Sequence, residues 1–391
     1  MSGPLIWINA GEVSGDMHGA LLLEALRRAC PALRFAGTGG PRLEEAGLET
    51  RYRIEDLSVM GITEVIGHLP KILRMLRRIA RDLAVLRPAA LIVIDAPDFN
   101  FRVLRAAAAL GIPAYYYISP KLWAWRAKRA VFIKNTVRRL ISILPFETEF
   151  YRRFQMDVDY VGNPLADMMD YPSLCSVPVR EGLVGLMPGS RRREVLSLLP
   201  EFGGAARLLL RRQPGLTFAC LRAPGMDESL LRSLWPDGVP LTFIGPERRF
   251  AFMRSCAMII AASGTATLEC ALAGTPAIIV YKVSPLSFIV GKLLVKTPFM
   301  GLPNLILERE IFPELLQEAC DAAPLAKEAL KLLDPVPGAR TLADIRAELE
   351  ELRSLLGPPG AADRAARLIL EDATLSAALC PSGAQPGALQ S

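Results

Sequence analysis

PLIWINAGEVSGDMHGALLLEALRRA, residues 4–29, decides how the chain is to be read. PLIWINA is an apolar run of strand length, a Gly/Ser loop breaks it, and MHGALLLEALRRA follows with helical spacing. Strand, turn and helix are the expectation. The same alternation recurs. ALIVIDA (90–96) and IPAYYYIS (112–119) read as strands, and VLRAAAALG (103–111) reads as a helix closed by a glycine. HLPKILRMLRRIARDLAVLRP (68–88) is helical, with Ile72, Leu73, Leu76, Ile79, Ala80 and Leu83 on its apolar stripe. A second block opens at LVGLMPGS and continues through LTFACLR, LTFIG, AMIIAAS and TPAIIVY, each a strand candidate. Strands separated by helices imply parallel sheets covered by helices.

A chain of 391 residues is too long for one ordinary core. The pattern lapses at YPSLCSVPVREG (171–182), the expected linker. The expected architecture is α/β: two Rossmann-like, doubly wound domains with a cleft between them. The first would cover residues 1–172 and the second 183–335. C-terminal helices would occupy 336–372, and a disordered tail 373–391.

Composition narrows the function classes. Seven cysteines without a CxxC pair fit a reducing compartment better than a disulfide framework. Two histidines, His18 and His68, give little support to a His-rich metal site or a Ser–His–Asp hydrolase. No apolar run reaches the roughly 18–20 residues that cross a bilayer, and the start lacks the marks of a signal peptide. Residues 71–139 hold 15 Lys and Arg against 3 Asp and Glu. Such a field suits phosphate, nucleic acid or an anionic membrane surface, and equally a solvated face.

In open parallel sheets, ligands bind beyond the carboxyl ends of strands. Four loops there carry unusual residues. In AGEVSGDMHG (10–19), Glu12, Ser14 and Gly15 open a helix, where free N–H groups can meet an anion or a hydroxyl, or Ser14 can simply cap. In LMPGSRRREV (186–195), Gly189 allows close approach to a phosphate, Ser190 can cap and Arg191 can pair with charge. Three arginines at a helix start oppose the helix dipole, which hints at function. In AASGTATLECALAG (261–274), Ser263, Gly264 and Thr265 can surround a diphosphate, and Glu269 can accept from a ribose diol. The fourth region joins LIVIDAPDFNF (91–101) to YYYISPKLWAWRAKR (115–129). Its aromatics and Lys121, Arg126, Lys128 and Arg129 can hold a sugar ring, an acyl chain or a phosphate, or can form a packed cluster with a basic face. Asp95 and Asp98, taken alone, need be no more than an Asp-Pro turn with a cap.

Taken together and in order, AGEVSGD, VMGITEV, IDAPDFN, SPKLWAWR, LPFE, VGNPLAD, MPGSRRREV, ASGTATLEC, VKTPFMGLPNLI and LLQEAC resemble the lipid-A-disaccharide synthase family of Gram-negative bacteria. The resemblance implies a GT-B glycosyltransferase. It would join UDP-2,3-diacylglucosamine to 2,3-diacylglucosamine 1-phosphate with inversion, releasing UDP, with no metal or cofactor. It implies Gly189, Ser190, Arg191, Ser263, Gly264, Thr265 and Glu269 on the UDP-sugar side, and Asn304 and Gln317 facing the nucleotide sugar. Arg191 would stabilise the leaving UDP. Glu12, Ser14, Gly15, Ser119, Trp123, Trp125 and Arg126 would lie on the acceptor side. Asp98 is the expected base, with Asp95 orienting its loop. Asn163 stands where the family pattern leads us to expect histidine, and Lys121 where a small or neutral residue is expected. Acylated substrates imply a protein that is cytoplasmic and peripheral on the inner membrane, docking through the basic segment 62–87, and the family suggests a homodimer. A UDP-N-acetylglucosamine epimerase is the alternative enzyme. A nucleic-acid-binding protein would rest on the basic segment alone, with no recognition motif beside it.

Overall fold

The computed structural model describes residues 3–56, 62–284 and 297–372 and the single positions 288 and 375; for 62–69 only the backbone is described. VMGITEV, the start of VKTPFMGLPNLI and nearly all of the expected tail therefore lie outside the described residues or side chains.

Two compact units form, one from Met1–Asp167 with Pro358–Ser391, the other from Met168–Gly357. In the first, β1 (Leu5–Ala10), β2 (Arg34–Gly39), β3 (Glu49–Arg53), β4 (Ala90–Ile94), β5 (Ala114–Tyr117), β6 (Arg139–Ser142) and β7 (Asp159–Tyr160) form one sheet. Its order is β3-β2-β1-β4-β5-β6-β7, parallel throughout. In the second, β8 (Arg180–Met187), β9 (Thr217–Leu221), β10 (Thr242–Ile244), β11 (Cys256–Ala262), β12 (Ala277–Tyr281) and β13 (Glu314–Leu316) take the order β10-β9-β8-β11-β12-β13, again parallel. Each sheet reverses its winding once, between β1 and β4 and between β8 and β11. Those two points are where an open sheet binds ligands.

Burial explains the strands. β4 is apolar and buried at every position because helices cover both faces of the first sheet. Ile6, Ile8, Ile92 and Ile94 pack on one face with the helices Val13–Ala29 and Ala361–Leu370. Trp7, Leu91 and Val93 pack on the other with the helices Ile62–Leu86 and Pro97–Ala109.

Several expectations shift. Among the described side chains of the helix Ile62–Leu86 the buried ones are Met75, Ile79 and Leu83, whereas Leu73 is exposed. The 336–372 segment is not one piece: the helix Leu342–Leu356 belongs to the second unit and Ala361–Leu370 to the first. Asp167 holds the latter in place, its carboxylate accepting from the amides of Gly360 (2.5 Å), Ala361 (3.2 Å) and Ala362 (3.1 Å). The expected linker begins with a helical turn, Tyr171–Cys175, capped by the Asp170 carboxylate, which accepts from the amide and the hydroxyl of Ser173.

Candidate active site

In the first unit, the loops after β1 and β4 touch. A Cβ on Gly11 would lie 2.2 Å from that of Ala96, so only glycine lets them meet. The helix after β1 starts at Val13 with Glu12 as its N-cap and no side-chain cap. Ser14 therefore lies inside the helix and does not close it, correcting the capping expectation. Asp16 turns away and accepts from the amides of Gly40 (2.6 Å), Arg42 (3.0 Å) and Leu43 (3.1 Å).

After β4 the backbone enters the left-handed region at two successive non-glycine residues, Asp95 (φ 46°) and Ala96 (φ 43°). Each such residue costs about 1–2 kcal/mol. The turn aims Asp95 into a pocket of about 180 Å³, lined also by Glu12, Lys121, Trp125, Arg126 and Arg129. Burial, reinforced by the Glu12 charge and opposed by Lys121, raises the Asp95 carboxyl to about 6.

Asp98 differs. Its side chain is 67% exposed and accepts from Arg126 Nη1 at 2.7 Å and Arg129 Nη1 at 2.6 Å. Burial pushes this carboxyl up, but the hydrogen bonds and charges of the two arginines outweigh it and hold the group below its ordinary value. A depressed, doubly paired carboxylate is a poor proton acceptor. The two carboxyls of IDAPD thus differ: Asp98 is paired with Arg126 and Arg129 and held low, whereas Asp95 lines the pocket and is raised.

Around this pocket the expected acceptor residues divide. Trp125 is 42% exposed, with the Arg126 guanidinium 3.7 Å from its ring centroid. Ser119 is buried and shares a hydrogen bond of 2.9 Å with Tyr151. Trp123 donates its indole N–H to Glu147 (3.1 Å) and packs edge-on against Phe146. Tyr115, Tyr116 and Tyr117 are fully buried in β5, so of the aromatic cluster only the tryptophans approach solvent. Glu147, the acidic residue of LPFE, lies beside them. It is buried, accepts also from Ser142 Oγ at 2.5 Å, and burial raises it to about 7. Its only signal was a carboxylate standing in an apolar motif. Asn163 is likewise structural: buried, it donates to the Ile143 carbonyl and accepts from the Leu165 amide.

In the second unit, Gly189 has φ 105°, and a Cβ there would lie 2.4 Å from Glu194 Oε2. Ser190 is exposed, and Arg191 is the N-cap of the helix Arg192–Arg212. Arg191, 59% exposed, donates through Nη1 to Glu194 Oε1 (3.1 Å). After β11, Ser263 and Thr265 are half-buried, Gly264 is exposed, and the helix Thr265–Leu272 starts without a side-chain cap. Glu269 is buried, which raises its carboxyl, and among the described residues Arg249 pairs with it, at 3.7 Å.

Asn304 does not fit the expectation that it faces a nucleotide sugar. Its Nδ2 donates to Phe312 O (2.8 Å) and Glu314 Oε1 (2.7 Å), and its Oδ1 accepts from the amides of Ile311 and Phe312, both at 2.9 Å. All four bonds that an amide can make are engaged inside the unit. Gln317, left-handed at φ 53°, joins both backbone groups of Val283: its Oε1 accepts from the amide at 2.8 Å and its Nε2 donates to the carbonyl at 3.0 Å.

Two doubly wound parallel sheets, one in each unit, are the architecture of the GT-B fold. Solved structures share this fold: UDP-GlcNAc 2-epimerase from Neisseria meningitidis, bound to UDP-GlcNAc, is 12% identical with a TM-score of 0.59, covering 94% of this chain and 98% of that one. The calicheamicin glycosyltransferase CalG4 is 15% identical with a TM-score of 0.61, covering 95% and 100%. At such identities the likeness shows fold alone.

Sequence relatives go further. The family model described as Lipid-A-disaccharide synthetase matches residues 6–352. The lipid-A-disaccharide synthase of Syntrophus aciditrophicus is 40% identical over 95% of this chain and 98% of its own length. That of Myxococcus xanthus is 38% identical over 94% and 97%. The chain belongs to the lipid-A-disaccharide synthase family and is a glycosyltransferase of lipid A biosynthesis, as its ordered motifs implied.

Proposed function

We propose that the chain transfers diacylglucosamine from its UDP derivative to the 6-hydroxyl of 2,3-diacylglucosamine 1-phosphate. In this reading Asp95 takes the hydroxyl proton as the new C1–O bond forms. The bond from C1 to UDP breaks on the opposite face, so the anomeric configuration inverts. The observation that carries it is the Asp95 pocket: a carboxyl raised to about 6 is mostly ionised at neutral pH yet basic enough to accept a proton. Lys121, Arg126 and Arg129 line the same pocket and suit the acceptor's 1-phosphate. The second unit offers the complementary chemistry. Arg191 and the uncapped first amides of the helix Thr265–Leu272 meet the charge that develops on the diphosphate, and Glu269 accepts from the ribose.

The reading includes a membrane surface. Among the described residues no helix is long and apolar enough to cross a bilayer. On the helix Ile62–Leu86, Arg74, Arg77, Arg78 and Arg81 are exposed beside Leu73, which supports docking on anionic lipid at the cytoplasmic face of the inner membrane. Charge reversal at the four arginines should abolish co-sedimentation with anionic vesicles; unchanged co-sedimentation would remove this part.

The activity itself is tested by mass spectrometry of a detergent-micelle reaction holding both diacylated substrates. Disaccharide 1-phosphate and UDP are expected. Epimerised or untouched UDP-sugar would overturn the proposal.

A further inference from the structure

Asp95 reaches its pocket only because the backbone beneath it takes two left-handed steps, and such steps persist where surrounding groups over-determine them. Two buried side chains do so here. Asn100, wholly buried on the helix that follows the turn, donates through Nδ2 to the carbonyls of Asp95 (2.7 Å) and Ile94 (3.1 Å). Its own Oδ1 accepts from Asn9 on β1 at 2.6 Å, which ties the turn to the neighbouring strand. Tyr116, buried in β5, donates its hydroxyl to the same Asp95 carbonyl at 2.7 Å. One carbonyl thus receives donors from two elements on either side of it. Asn100 belongs to IDAPDFN and Tyr116 to the aromatic run, and neither had a part in the chemistry.

We infer that Asn100 and Tyr116 are positioning residues for transfer, clamping the Asp95 carbonyl so that the Asp95 carboxylate points at the acceptor hydroxyl. The inference rests on Asp95 being the base. The clamp touches no substrate; it fixes the direction in which the Cα–Cβ bond of Asp95 leaves the backbone. A misplacement of about 1 Å in a reacting group can cost on the order of 100-fold in rate.

Tyr116→Phe removes one hydroxyl from the clamp and leaves the ring in its core. Asn100→Ala removes both amide donors. Each variant would be assayed with Asp95→Asn beside it, following kcat, the KM of both substrates, UDP affinity, thermal unfolding and the pH dependence of kcat/KM. Tyr116→Phe is expected to lower kcat about 10-fold and Asn100→Ala about 100-fold, with UDP affinity unchanged. The pH profile is the readout that a merely structural role would not move. The groups facing Asp95 are Glu12, Lys121, Arg126 and Arg129 in the pocket, with Glu147 behind it. A loosened Asp95 gains water, so its acidic limb should move to lower pH in both variants.

Wild-type kcat and limb in both variants, with only the unfolding temperature lowered, would overturn the clamp while an inactive Asp95→Asn upheld the base. An active Asp95→Asn would overturn base and clamp together. No disaccharide from the wild-type chain would overturn the proposed function itself.

Discussion

The loop after β4 and the loops after β8 and β11 occupy equivalent switch points in their sheets, yet they are built in opposite ways. Around Asp95 the structure is finished before any substrate arrives: the backbone is left-handed and clamped, and Asp98 pairs with two arginines. Around Arg191 and Gly264 little is settled. Ser190, Arg191 and Gly264 are exposed, Arg191 is tied only to Glu194 of its own helix, through the amide at 3.3 Å and Nη1 at 3.1 Å, and the helix Thr265–Leu272 starts without a side-chain cap. A proton acceptor needs a fixed direction and a tuned basicity, which neighbours must impose. A diphosphate brings charge enough to organise donors left open for it.

The comparison breaks first at Asp95. Asp95→Asn should lower kcat by about 10³-fold, within the range of general base catalysis, while UDP still binds in a direct binding assay. Glu147→Gln tests how far the first unit depends on buried carboxyls. Burial raises Glu147 from 4.5 to about 7, so the fold favours its protonated form. Its contribution to stability is complete below about pH 4.5 and is lost as pH rises through about 7, a change on the order of 3 kcal/mol. Urea unfolding across that window should show the slope in the wild type and a flatter line in the variant. Arg191→Ala should cost about 100-fold in kcat/KM and weaken UDP binding, as loss of a donor to a developing anion does. A loss confined to kcat, with UDP affinity intact, would show the second unit to be preorganised after all. Asp98→Asn should have the smallest effect, below about 10-fold in kcat, because Arg126 and Arg129 stay in the pocket without it; a loss matching that of Asp95→Asn would return the base to Asp98.

Much of this was legible in the residues, for identifiable reasons. β1, β4, β8, β11 and β12 are central and apolar, and they stand out as runs. β3 alternates exposed and half-buried residues at a sheet edge, and β13 has three residues, so neither carries a strand signal of its own. The positions of Arg191 and Asp95 after their strands, and of Glu269 in the helix after β11, followed from strand and helix patterns together with motif order. What side chains do inside the fold did not. Asn304 and Asn163 are polar residues in recognisable motifs, and only their partners show that they are consumed internally. Asp167 caps a helix nearly two hundred residues further along the chain, a contact that no local pattern encodes. The choice between Asp95 and Asp98 also turned on neighbours distant in sequence, since Arg126 and Arg129 come from the loop after β5.

The central claim is that the proton leaves to Asp95 and not to Asp98. Its most direct test is kcat/KM against pH for the wild type and Asp98→Asn, with the acceptor varied. The account predicts an acidic limb near pH 6 in both, set by the raised Asp95 carboxyl. A limb that disappears, or falls well below pH 6, when Asp98 alone is changed would contradict it.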